Sequence, residues 1–221
     1  MKLHVVIPAY DRALHVETAR SLLNEQALAQ GAGLDFEVHF VPGCSLVTLA
    51  RNQCVDGFLK GDADKLIFVD SDVSWEVGSI VRLAMHPVDF VGGAYRLKQS
   101  VEAYPVGWSN KPDLWAVDGL LEVDILPGGF MCLSRSVFAK LRDAMPERTY
   151  THYDFEGFAY FDAPFMDGRL YGEDSAFCHY WRKAGGTVWL DPELSLVHHD
   201  HGQAYPGHIG NWLKSRIQEA A

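Results

Sequence analysis

Leu66-Ile67-Phe68-Val69-Asp70-Ser71-Asp72 is the stretch on which the reading of the whole chain turns. Four apolar residues in a row, branched or aromatic, suit a strand buried on both faces, and such strands belong to sheets covered by helices on either side. The run passes directly into two carboxylates spaced two residues apart. In open α/β sheets the ligand crevice lies beyond the carboxyl ends of the strands, so this pair stands where a ligand is expected. Acids at that spacing can share one hard divalent cation, Mn2+ or Mg2+, through oxygen. The same pattern also serves a plain turn in which one aspartate caps the next helix.

Outward from this stretch, strand and helix signals alternate. Leu3-His4-Val5-Val6-Ile7 reads as a short buried strand stopped by Pro8. Asp11 is the expected cap of a helix carrying Val16, Ala19, Leu23 and Ala27, ended by Gly31 to Gly33. Phe36 to Val41 forms a second strand, and Ser45 opens a helix through Leu46, Leu49, Ala50 and Cys54. Ser74 is the expected cap of a helix reaching Met85, and Val88 to Val91 reads as a further strand closed by Gly92-Gly93. This alternation predicts an α/β fold with a mostly parallel central sheet and helices on both faces.

Beyond residue 100 the pattern loosens. Trp115-Ala116-Val117 and Leu120 to Val123 flank Asp118-Gly119, the signal of a tight hairpin and of a small antiparallel annex. Pro127-Gly128-Gly129 leads into the apolar run Phe130-Met131-Cys132-Leu133, and a helix is expected over about 134–141. The aromatic stretch 149–171 shows no period and reads as a long loop. A helix from Glu173 to Gly185-Gly186 and two short strands, 187–190 and 194–197, complete the expectation of one domain over 1–221.

Composition narrows the function. The 221 residues carry a formal net charge of -10, which excludes a broad electrostatic footprint for nucleic acid. An acidic chain that handles phosphate needs a local basic patch or a cation. Cys44, Cys54, Cys132 and Cys178 are scattered without a C-x-x-C pair, so reduced, buried thiols are expected rather than a zinc site or a disulfide framework. With no stretch long and apolar enough for a membrane span and no leader-like start, the expectation is a cytoplasmic protein.

Further residues fit a phosphate-handling site. Glu173-Asp174 stands at a helix start, where the dipole favours acids, and either carboxylate can act as a general base on a hydroxyl. In His198-His199-Asp200-His201, strand alternation sends His198 and His199 to opposite faces, so His198 or His201 can complete the metal site begun by Asp70 and Asp72. Pro8 to Arg12 and Ser45 to Asn52 each follow a strand and open a helix, so their N–H groups can face an anion. Arg12 and Arg51 can add charge-assisted contacts, and Tyr10 can stack on a base. No glycine fingerprint of a dinucleotide fold or a P-loop is present, which argues against an NAD enzyme and an ordinary ATPase.

Taken in order, Val5-Val6-Ile7-Pro8-Ala9-Tyr10-Asp11, Ala50-Arg51-Asn52 and Phe68-Val69-Asp70-Ser71-Asp72 resemble the nucleotide half of GT-A glycosyltransferases, close to the inverting family two. Gly128 to Ser134, Gly172-Glu173-Asp174 with Trp181 to Gly185, and Leu190-Asp191-Pro192 through His198 resemble the remaining motifs of that family, so the likeness spans nearly the whole chain. The resemblance implies a nucleotide-binding half over 1–100 and an acceptor and catalytic half over 101–221. It implies that Pro8, Tyr10, Asp11, Arg51, Asp70 and Ser71 line the nucleotide, that Asp70 and Asp72 with His198 or His201 hold the metal, and that Gly128, Gly129 and Phe130 border the sugars. Asp174, or Glu173 beside it, would be the base, and Tyr95, Arg96 and Lys98 would approach the phosphates or acceptor. The implied partners are a UDP- or GDP-sugar donor and a carbohydrate or other hydroxyl acceptor. Nucleotidyl transfer, which would make the nucleotide sugar, wants a basic glycine-rich loop that Pro8 to Arg12 does not supply. A nucleotide-sugar-binding module without turnover would show one of Asp70, Asp72 or Asp174 turned away or locked in a structural ion pair.

Overall fold

A computed structural model of the chain describes residues 1–108, 119–152, 155–166 and 168–220. Its first half runs β1 (Lys2–Ala9), α1 (Val16–Gly31), β2 (Asp35–Pro42), α2 (Val47–Lys60), β3 (Lys65–Val69), β4 (Val73–Trp75), α3 (Ser79–Met85) and β5 (Phe90–Gly92). There follow β6 (Gly107–Trp108), β7 (Leu121–Ile125), β8 (Phe130–Ser134), α4 (Arg135–Ala144), β9 (Thr149–His152), β10 (Phe155–Phe158), β11 (Phe165–Met166) and β12 (Arg169–Leu170). The chain closes with α5 (Glu173–Lys183), β13 (Val188–Leu190), β14 (Ser195–His199), β15 (Ala204–His208) and α6 (Ile209–Ala220).

The central sheet has the order β2-β1-β3-β8-β5-β13-β7-β6. β2, β1 and β3 are parallel neighbours, and β5 is parallel to β13. β8 runs against both β3 and β5, and β7 runs against β13 and β6. All strands but β7 and β8 therefore point one way, as a mostly parallel sheet requires. A separate antiparallel sheet, β15-β14-β4, stands beyond the carboxyl end of β3.

Strand alternation sorts the core onto two faces. Val6, Phe68, Phe90 and Met131 point to the side covered by Phe58 of α2, Phe138 of α4 and Phe177 of α5. Their neighbours Val5, Ile67, Val91 and Cys132 point to the other side, under Leu22 and Ala29 of α1 and Ile80 of α3. The side chain of Glu25, buried on α1, joins this second layer to the strands. It accepts hydrogen bonds from Trp75 Nε1 at 3.2 Å, the Gly78 N–H at 2.7 Å and the Val81 N–H at 2.8 Å, so one acid caps the amino end of α3 from a neighbouring helix.

Several local expectations give way to tertiary pairing. Asp11 does not cap α1; its carboxylate takes the Ala13 N–H at 3.1 Å and closes a turn around Arg12, whose φ of 62° is left-handed. Ser45 stands outside α2, which begins at Val47 with no side-chain cap. Ser74 lies within β4, opposite Val197 of β14, instead of opening a helix. The stretch 149–171 contains two short hairpins, β9-β10 and β11-β12. At the Asp118-Gly119 turn, residues 115–118 lie outside the described residues, and β7 pairs with β6 and β13. All four cysteines are free, and Cys44 is only partly buried where the others are enclosed. Among the described residues no helix is long and apolar enough to cross a membrane.

Replacing Glu25 by Ala strands one buried and two partly buried donors and should cost about 3 kcal/mol of stability, read from the urea unfolding midpoint. His4 gives a pH test. Burial, then the neighbouring His39, lower its imidazole to about 4 from an ordinary 6.5, so the fold favours the neutral ring. That contribution is complete above pH 6.5 and is lost as pH falls towards 4. Stability of the wild type relative to His4→Leu should drop by up to about 3 kcal/mol across that window, and an unchanged difference would refute the assignment.

Candidate active site

The carboxyl end of β3 delivers Asp70 into a buried network. Arg51, on α2, is 3% exposed and spends its guanidinium on three acceptors. Nη2 donates to Asp70 Oδ1 at 2.9 Å, Nε to Glu173 Oε1 at 3.2 Å and Nη1 to the Gly128 carbonyl at 3.1 Å. Burial works against the guanidinium charge, but Asp70 and Glu173 outweigh it and hold Arg51 protonated. The second oxygen of Asp70 accepts the Tyr95 hydroxyl at 3.0 Å. Burial, then the Asp70 charge, push the Tyr95 phenol well above its ordinary range, so it remains a donor.

Gly128 and Gly129 make this closeness possible. A Cβ on Gly129 would overlap the Asp70 carboxylate, and one on Gly128 would stand 2.8 Å from Arg51 Nη2. The Asp70 N–H meanwhile donates to the Gly129 carbonyl at 3.0 Å. Asp174, next to Glu173 in the first turn of α5, accepts the Gly128 N–H at 3.3 Å and the Ser175 N–H at 2.6 Å. The two acids of α5 thus differ in partners: Glu173 faces a fixed cation, whereas Asp174 faces neutral N–H groups.

Asp72 belongs to a second, more open group. Its Oδ2 lies 2.6 Å from Lys98 Nζ and 3.5 Å from His198 Nε2. Burial tends to raise the Asp72 carboxyl, but the contacts with His198 and Lys98 outweigh it and bring it down to about 2. His198 Nδ1 donates to the Arg96 carbonyl at 2.9 Å, which fixes the ring with Nε2 towards Asp72. A cavity of about 600 Å³ opens beside this group, lined by Asp11, Ser71, Asp72, Lys98, His199 and His201 among others.

The structure therefore brings Arg51, Asp70, Gly128, Gly129, Glu173 and Asp174 into one cluster, and Asp72 with His198 into an adjoining one. Asp11, Ser71 and His201 line the cavity beside these groups, and Tyr10 presents its ring to solvent. Pro8, partly exposed, is the last residue but one of β1. Phe130 is fully buried against Trp75, with ring centroids 5.4 Å apart, so only its backbone can face a ligand. With Asp200 and Gln203, His15 and Glu17 are additional polar groups on the cavity wall. Their only sequence signal is a His-x-Glu at a helix start, which acquires meaning once β14 brings His199 alongside.

Replacing Arg51 by Met leaves Asp70 and Glu173 without their cation and should cost about 3–5 kcal/mol in chemical denaturation. An unchanged midpoint would show that the guanidinium carries no net structural role.

No protein-family model and no curated protein matches the chain by sequence. Its backbone does match solved structures. A crystal structure of A197 from STIV superposes with a TM-score of 0.58 at 17% identity, covering 93% of this chain and 94% of that one. A crystal structure of GalNAc-T7 with UDP, GalNAc and Mn2+ superposes with a TM-score of 0.51 at 13% identity, over 90% of this chain and 44% of that one. At such identities the likeness speaks for architecture, and the architecture of this chain is a GT-A-like α/β fold.

Proposed function

We propose that the chain is a metal-dependent glycosyltransferase that moves a sugar from a UDP- or GDP-linked donor to an acceptor hydroxyl with inversion. The observation that carries this reading is the convergence at the end of β3: Asp72 with His198 on one side, and Asp70, Gly128-Gly129 and Asp174 on the other. The donor set suits Mn2+ or Mg2+, because Asp72 offers a hard oxygen and His198 a nitrogen already oriented by the Arg96 carbonyl. Asp72 and His198 would hold the ion, which would supply neutralising charge to the departing nucleoside diphosphate. Asp70, with both oxygens engaged by Arg51 and Tyr95, would position the site from beneath instead of ligating. Pro8, Tyr10 and Asp11 would border the base, with the exposed Tyr10 ring free to stack.

The chain's residues then divide the work. Lys98, which neutralises Asp72 at 2.6 Å, would turn to a phosphate oxygen once the donor is bound. Asp174 would accept the proton of the acceptor hydroxyl as its oxygen forms the bond to the anomeric carbon and the bond from that carbon to the phosphate oxygen breaks. Glu173, neutralised by Arg51, would hold the start of α5 in place. The buried Asp70–Arg51 pair also favours a second reading, a nucleotide-sugar-binding module without turnover.

Calorimetric titration of UDP and then GDP, with Mn2+ and with EDTA, tests the donor site. One nucleotide should bind in a metal-dependent manner, and Asp72→Ala should weaken it by at least tenfold. No binding of either nucleotide under either condition would sink the donor-site reading. Donor hydrolysis stimulated by Mn2+ would support the transferase, and binding without any hydrolysis or transfer would leave the binding module.

A further inference from the structure

β2 ends the central sheet, and among the described residues no strand pairs with its outer side. In a parallel ladder each residue turns its N–H and C=O to the same side, and successive residues alternate. The Asp35 N–H donates to the Met1 carbonyl at 3.1 Å, so Asp35, Glu37, His39 and Val41 direct their peptide groups at β1. Phe36, Val38 and Phe40 therefore direct theirs outward, and of these the Phe36 carbonyl accepts Gln26 Nε2 at 3.3 Å. An open edge on a strand of eight residues is a template for another strand.

Beside this edge, on the face covered by α1, lies a groove of about 560 Å³ lined by Leu14, Leu22, Leu23, Phe36, Val38 and Phe40 among others. Leu23 is 68% exposed and Phe40 52%, so an apolar strip runs along the open strand. We propose that this edge is a self-association surface, on which a second copy of the chain adds its own β2 antiparallel, about a two-fold axis at Val38.

Strip and edge are self-complementary in that register. Phe36 meets the partner's Phe40, and Val38 meets the partner's Val38, each pair exchanging N–H and C=O across the junction. These side chains lie on the groove side, so the two apolar strips join under Leu23 of each α1. On the other face Glu37 stands opposite the partner's His39, an acid against an imidazole. Pro42 falls opposite the partner's Leu34, whose N–H is already given to Ala29, so no ladder bond is lost there.

Neighbouring registers fail. Moving the axis to Glu37 sets that acid against its own copy, and moving it to Phe36 sets Asp35 against the partner's Glu37. Moving it to His39 or Phe40 places Pro42, which has no N–H, where a donor is required. With the axis at Val38 the strands of the two copies run oppositely, so their Asp70 clusters open at opposite ends of the shared sheet.

Sedimentation equilibrium over a concentration series tests this, and the expected result is a reversible monomer–dimer equilibrium. Phe40→Lys, at a half-exposed position, should raise the dimer dissociation constant at least tenfold while leaving the circular dichroism spectrum unchanged. A cross-link reads the register. In a Cys44→Ser background, Glu37→Cys and His39→Cys proteins mixed under mild oxidation should form a disulfide-linked heterodimer, since directly opposed Cβ atoms lie about 4.5–5.5 Å apart. Each protein alone should cross-link at least tenfold more slowly, because like positions are offset along the strands. A single monomeric species at every concentration, a dimer indifferent to Phe40→Lys, or a mixture that cross-links no faster than its components would overturn the edge-to-edge dimer. Nucleotide binding is a property of the single chain, so that outcome leaves the transferase reading untouched.

Discussion

One buried charge holds the active end of the sheet together. Arg51 alone connects α2 to the end of β3, to the turn before β8 and to the first residue of α5, by donating to Asp70, Gly128 and Glu173. A guanidinium withdrawn from water is costly, and only paired carboxylates and complete hydrogen bonding make it tolerable. Its plane also sits over the Phe68 ring, 5.1 Å from the centroid, so the charge rests on the strand that carries the acids. Two carboxylates on one cation leave the cluster negative, and Asp72 and Asp174 add to it. The cation that answers this surplus at Asp72, Lys98, comes from a segment outside the parallel core.

The short helix α3 is secured by the same means. Glu25 takes N–H groups at its start, while Asp191, wholly buried after β13, binds Arg82 from its last turn and His86 just beyond it. Burial tends to raise the Asp191 carboxyl, but Arg82 and His86 outweigh that and hold it below its ordinary value. Seven residues cannot sustain a helix by propensity alone, so α3 exists because acids from two other elements grip both ends.

Much of this was legible in the residues. The runs around Val6 and Phe68 announce doubly buried strands, and strand alternation separates His198 from His199 before any coordinates are known. The orientation of Phe130 to Leu133 was not legible, since an apolar run reads alike in either direction and only pairing with β3 and β5 sets it against them. Ser74 illustrates a different failure: its type favours a helix cap, but the ladder to β14 overrides a local preference worth little by comparison. Lys98 was expected near the phosphates or acceptor, but its pairing with Asp72 follows from the path of the chain after β5. The aromatic stretch after Thr149 hid two hairpins, because strands of two to four residues leave too few positions for a period to show.

The reversed strand β8 has a consequence for the birth of the protein on the ribosome. It fills the gap between β3 and β5, yet it is synthesised after both. Until about residue 134 has cleared the exit tunnel, those two strands present unsatisfied edges, the template for pairing with a neighbouring nascent chain. Each new molecule thus passes through an interval of vulnerability whose length is set by translation speed over the segment from Gly92 to Ser134. Slow codons there would prolong the exposure, and a holdase that covers open sheet edges would shorten its effect.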